Sequence, residues 1–273
     1  MGKLPLCPLN KKERRNFMKS LYREKLYSCG EYLDVDIYPV YEQPRARSRK
    51  NKYRETTDIQ KKLNQRNAER KLARLLNTNF TDKDVQFNLT YADSYAPETA
   101  EQAQKDVQNF LRRIKRLRKK KGLPELKYVF VTEQGKRSKR FHHHLVMNGG
   151  LTPEELARVW GKGYTMLRPL QFNDDGLVGL AKYLVKEPTL SKRWCSSKNL
   201  IQPQEIKRDG QISSKSVNQI AEGFSDVREE LEKRYEGFRL IDCDTYYSEF
   251  TGKYYLAIRM RMTDEVKKKK GRL

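Results

Sequence analysis

No stretch of this 273-residue chain approaches the roughly 18 consecutive apolar residues that a membrane-spanning helix needs. The opening Met1-Gly2-Lys3-Leu4-Pro5 starts no secretory signal, so a cytoplasmic protein with no membrane partner is expected. Cysteine is scarce. Cys7, Cys29, Cys195 and Cys243 are too few for a disulfide framework and too far apart for a zinc finger. Free thiols are expected, with Cys7 and Cys29 left open to a structural metal. Acidic residues are also short, with 35 Asp and Glu against 58 Lys and Arg, a formal net charge of +23. Solubility needs nothing like that excess, so the partner is expected to be a polyanion. Histidine is the rarest of the chemically active residues, and all three stand together at His142-His143-His144.

Those histidines lie inside Phe141–Met147, a run that reads as a strand. Alternation puts His142, His144 and Val146 on one face and Phe141, His143, Leu145 and Met147 on the other. Two imidazoles therefore converge while His143 turns toward an apolar side, where its loss should be milder. Just upstream, Leu126–Gln134 reads as a second apolar strand joined by a polar hairpin turn, which brings Glu133 near the pair. Two imidazoles and a carboxylate form a mixed nitrogen and oxygen set suited to Mg²⁺ or Mn²⁺.

Around this hairpin the pattern runs strand, helix, strand, strand, helix, strand, helix. Asp84–Tyr91 alternates with Val85, Phe87, Leu89 and Tyr91 on one side. A long helix opened by Pro97 and Glu98 buries Val107, Phe110, Leu111, Ile114 and Leu117. Its remaining surface is crowded with Arg112, Arg113, Lys115, Arg116, Arg118, Lys119, Lys120 and Lys121. Thr152-Pro153-Glu154-Glu155 is a capping box, and that helix should stop at Gly161. After a strand at Tyr164–Leu167, Leu177–Lys186 reads as a helix. The order predicts an α+β fold: a central antiparallel sheet with helices packed mainly on one face and the other face open for metal and DNA. Residues 1–80 form a basic N-terminal accessory region, with basic Lys11–Arg15, an extended Val35–Tyr41 and one narrow-faced helix. Residues 81–202 are expected to form the catalytic domain. Residues 203–273 form a helix around Val227, Leu231 and Tyr235, a hairpin at Phe238–Tyr247 and Lys253–Arg261, and a disordered lysine tail; the hairpin extends the sheet or forms a small lobe. Its paired tyrosines either pack along an edge strand or stack on bases.

Three pieces together resemble the catalytic domain of rolling-circle replication initiators, the replication-associated members of the HUH endonuclease superfamily found in plasmids and small single-stranded DNA phages. Phe87–Tyr91 is similar to the family's first motif, His142–His144 to its histidine motif, and Lys182–Lys186 to its tyrosine motif. The resemblance implies metal ligation by Glu133, His142 and His144, and cytoplasmic work in a bacterial host. It also implies binding of single-stranded DNA and a replication-origin hairpin, with host helicase and polymerase as further partners. Two departures stand out: the central motif residue is His143 rather than an apolar one, and Gly179 occupies the position where phage members often carry a second tyrosine.

The chemistry follows from residue types. Tyr183 and Lys186, three apart on a helix, can address one phosphate: Tyr183 attacks it and Lys186 neutralises developing charge. Lys182 lies about 100° around the helix. Arg112, Arg116, Lys119 and Lys120, with Lys192 and Arg193 in the following basic segment, are expected to contact DNA phosphates. A single-tyrosine HUH transposase and a non-enzymatic basic DNA-binding protein are the alternatives. A conjugative relaxase would place its tyrosine before the histidines.

Overall fold

The computed structural model describes residues 20–41, 58–136, 138–186, 192–224, 226–249 and 251–270. Cys7, the basic segment Lys11–Arg15 and the polar stretch 45–54 lie outside them. In chain order the elements are β1 (Ser20–Cys29), β2 (Tyr32–Tyr41), α1 (Asp58–Asn79), β3 (Val85–Leu89), α2 (Ala100–Lys120), β4 (Tyr128–Gln134) and β5 (Phe141–Met147). There follow α3 (Pro153–Trp160), β6 (Thr165–Pro169), α4 (Val178–Leu184), β7 (Cys195–Ser196), β8 (Gln204–Asp209), α5 (Ser214–Glu222), α6 (Val227–Arg234), β9 (Phe238–Ser248), β10 (Lys253–Met262) and α7 (Asp264–Lys270).

The chain divides into two compact units, and these do not follow the three consecutive segments expected. One unit gathers residues 20–27, 34–41 and 205–266; the other holds 28–33, 58–204 and 267–270. In the first, the strand order β8-β1-β2-β10-β9 makes a five-stranded sheet, so the C-terminal hairpin joins N-terminal strands. Its core is Tyr22, Val35, Ile37, Leu256, Ile258 and Met260, with Val217 and Ile220 of α5 and Leu231 of α6. Glu24, almost fully buried, accepts two hydrogen bonds from Arg234 at 2.8 and 2.9 Å and one from Tyr235 at 2.7 Å. A buried carboxylate persists only when paired in this way. The hairpin tyrosines pair across strands, exposed Tyr246 with half-buried Tyr255 and exposed Tyr247 with half-buried Tyr254. The lysine run expected as a disordered tail lies in helix α7.

The second unit is an antiparallel sheet in the order β6-β3-β5-β4-β7. One face packs Phe87, Leu89, Phe130, Leu145 and Met147 against Val107, Phe110, Leu111 and Ile114 of α2 and Leu156 and Trp160 of α3. The other packs Val129, Val131 and Val146 against Leu72, Leu75 and Leu76 of α1 and Val178, Ala181 and Leu184 of α4. The α+β class and antiparallel sheet agree with expectation, but helices cover part of both faces. The second face is not open throughout because the valines of β4 and β5 bury too much apolar surface to remain in water.

Local signals account for most of these elements. Thr152 and Glu155 close the capping box of α3, and Gly161 ends it in the left-handed conformation. Helix α2 starts later than Pro97 suggested, at Ala100, because the Thr99 side chain accepts from the Gln102 N–H. Arg118, counted with the basic surface, is instead buried and donates to the carbonyls of Pro124, Asn148 and Gly149.

Candidate active site

Pairing of β4 with β5 sets Glu133 opposite His142 and Val131 opposite His144. All four belong to the sheet face that carries Val129 and Val146, so three polar side chains emerge together where the valine core ends. Glu133 Oε2 lies 3.3 Å from His142 Nε2 and 3.2 Å from His144 Nε2, and the three donor atoms fall within 4.8 Å of one another. Two donors each about 2.1 Å from one ion and at right angles are about 3.0 Å apart, so this spacing fits a shared divalent cation. Asn88, on neighbouring β3 and opposite His144, accepts from His144 Nδ1 at 2.9 Å. With Nδ1 protonated, the Nε2 lone pair points to the centre. Burial pushes the His144 pKa down, His142 adds to this, and Glu133 opposes it more weakly. The imidazole is thus neutral at neutral pH, as a metal ligand must be.

His143 faces the other way and is fully buried. Its Nε2 is 2.9 Å from the Tyr91 hydroxyl and its Nδ1 2.9 Å from Thr132 Oγ1, with Trp160 edge-on to the ring. Burial first, then the flanking imidazoles, holds its pKa down to about 3. The opposite orientations of His143 and the 142/144 pair match strand alternation.

Tyr183 reaches the triad from α4. Its hydroxyl is 3.5 Å from His144 Nε2, the two rings meet edge-on at 5.1 Å, and about half of its surface is exposed. Burial, then the charge of Glu133, raises its pKa, so it is a phenol at neutral pH. Helix α1 holds α4 at both ends. Asn77 Oδ1 accepts from the Leu177 N–H at 2.8 Å, and Gln65 Nε2 donates to the Val185 carbonyl at 3.0 Å. Gly176 precedes this helix with φ +67°, and a Cβ there would meet Asn77 Oδ1 at 2.6 Å; only glycine permits this approach.

Residues 84–188 match the family model of replication-associated protein ORF2/G2P. The matched segment spans less than half of the chain yet contains Glu133, His142, His144 and Tyr183. It supports a role in replication, and thus DNA as a partner, in agreement with the rolling-circle resemblance. No curated protein and no solved structure matches the chain. Among the described residues no helix is long and apolar enough to cross a membrane.

The other expected site residues of the matched segment and its flank are scattered. Helix α4 ends at Leu184, two residues short of Lys186, so the shared helical face expected for Tyr183 and Lys186 does not form. A Lys186 N–H to Tyr183 carbonyl hydrogen bond of 3.5 Å keeps the chain turned there, and the Lys186 and Lys182 side chains are exposed. Arg116, Lys119 and Lys120 are exposed on α2, across the sheet from the triad. Arg193 donates to Gln65, and Arg112 and Lys192 line one cavity beside β7. Sequence reasoning assigned no role to Asn88, although its place between Phe87 and Leu89 already marks it for the polar face. Gln65 and Asn77 carry no local signal for these contacts, because Val185 and Leu177 lie 120 and 100 residues away.

Proposed function

We propose that the chain is a metal-dependent DNA nicking and joining enzyme that initiates rolling-circle replication of a plasmid or phage through a covalent tyrosine intermediate. The supporting observation is the approach of the Tyr183 hydroxyl to within 3.5 Å of His144 Nε2, beside three groups spaced for one cation. Glu133, His142 and His144 would hold Mg²⁺ or Mn²⁺; when bound, the cation polarises the scissile phosphate and orients it for in-line attack. Tyr183 Oη then bonds to phosphorus as the P–O3′ bond breaks. The phenolic proton is lost, the departing 3′ oxygen gains one, and a 5′-phosphotyrosyl link remains that can later be rejoined. Asn88 keeps His144 in the ligating tautomer, and the anchoring of α4 on α1 limits the travel of Tyr183. Lys186 and Lys182, both exposed near the nucleophile in sequence, supply positive charge to the flanking phosphates.

Incubation of the protein with a pool of labelled single-stranded oligonucleotides and Mn²⁺, followed by mass spectrometry of the trapped peptide, tests this. An adduct on Tyr183, absent from a folded Tyr183→Phe variant, is expected. Adduct on another tyrosine, or its persistence in Y183F, would sink the assignment. A non-enzymatic DNA-binding protein gives no adduct at all.

A further inference from the structure

Beside the edge strand β7 lies a cavity of about 520 Å³ lined by Arg112 and Lys115 of α2, Tyr128 and Phe130 of β4, and Lys192 and Trp194. Its size falls within the range of roughly 300–1,000 Å³ typical of small-ligand sites. Among the described residues no carboxylate lines it. Lys115 Nζ lies 5.9 Å from the centre of the Tyr128 ring, so cation and aromatic face share one wall. Phe130 belongs to the sheet face opposite the triad, which puts the cavity on the far side of the sheet from Tyr183. Lys192 and Trp194 also line a second cavity, of about 420 Å³, whose wall includes Lys71 of α1 and Arg193. The two hollows thus meet at Trp194 and lead around β7 from α2 to α1, the helix that also carries α4 and its tyrosine.

Unopposed cations beside flat aromatic rings are the composition that receives a nucleotide, phosphate on the charges and base on a ring. We propose that the larger cavity is a second DNA subsite that holds one nucleotide of the single strand away from the scissile phosphate. Its base stacks on Trp194, and its phosphates lie among Arg112, Lys115 and Lys192. This rests on the DNA reading above and adds a path for the strand: from Tyr183 along α1, past Lys71 and Arg193, and around β7. Longer strands then bind more tightly than short ones because they reach both places.

Tryptophan fluorescence of the full chain reads the subsite directly. Of the two tryptophans, Trp160 is buried with its indole N–H on the Thr90 carbonyl, so quenching by a ligand reports Trp194. Titration with oligothymidylates of increasing length should quench the signal, with affinity rising to a plateau. Trp194→Ala removes the reporter, so its affinity is read by anisotropy of a fluorescein-labelled strand; it should fall about tenfold for the longest strand, and the length dependence should flatten. Trp194 packs partly against the core, so the exposed Lys115→Glu serves as a second variant and should give a loss of similar size. Affinities within twofold of wild type in both variants overturn the subsite. Equal quenching by thymidine triphosphate alone also overturns it, in favour of a free-nucleotide site. Quenching and length dependence without any Tyr183 adduct support the subsite and remove the nicking assignment, whereas no binding of any strand removes both.

Discussion

Asn88 and His143 show how single side chains on adjacent strands divide the work. Asn88 accepts the Nδ1 proton of His144 at 2.9 Å, and such partners of a ligand typically matter nearly as much as the ligand. Asn88→Ala should weaken Mn²⁺ binding by roughly 10–100-fold, measured by calorimetry on the unliganded protein; a change under threefold would show that the tautomer is held in another way. His143 is a stabilising residue. His143→Leu takes the partner of Thr132 Oγ1 out of the core, whereas the Tyr91 hydroxyl keeps the Ala103 carbonyl at 3.5 Å, so at ~1–3 kcal/mol for one unpaired group the variant should lose about 1–3 kcal/mol in urea unfolding. Adduct formation per folded molecule should survive, while His142→Ala and His144→Ala should abolish it and keep most DNA affinity. Loss of activity in folded H143L with activity retained in H142A and H144A would reverse the assignment of strand faces.

At the scale of elements, the relation between α1 and α4 matters most. A short helix of seven residues, Val178–Leu184, has too few internal hydrogen bonds to be stable alone, so its position comes from what it packs against. Helix α1 supplies that surface through Leu72, Leu75 and Leu76 and ties the ends of α4 through Asn77 and Gln65. Asn77→Ala leaves the Leu177 N–H buried without its partner, for a loss of about 1–3 kcal/mol. It should also slow adduct formation at saturating DNA with little change in affinity, since the tyrosine is displaced while the phosphate contacts are not. An unchanged single-turnover rate would mean that α4 is positioned by its apolar contacts alone.

Over the whole molecule, the proposed function assigns attraction to DNA to the net charge of +23 and reaction to the triad. Two measurements separate them. Affinity for non-cognate single strands should fall steeply with salt, with a linear plot of log K against log salt concentration. Chelation with EDTA should abolish adduct formation while leaving that affinity within about threefold. If chelation removes binding as well, the metal is part of the DNA-binding surface and the division is wrong.

The sequence by itself determined the strands around the histidines and their faces. Alternation in Phe141–Met147 separated His143 from its neighbours, the hairpin brought Glu133 near the pair, and Thr152 with Glu155 marked the start of α3. These are local effects of pleat and capping, written within a few residues of where they act. Tertiary structure decided what depends on distant partners: that a helix before residue 80 carries the tyrosine helix, that N- and C-terminal strands share one sheet, and that helices cover part of both faces of the other. Strand β1, with no partner nearby except β2, left no sign of where it would pair. The early end of α4 and the orientation of His144 by Asn88 depend in the same way on groups brought together from far along the chain, which periodicity in a single segment does not encode.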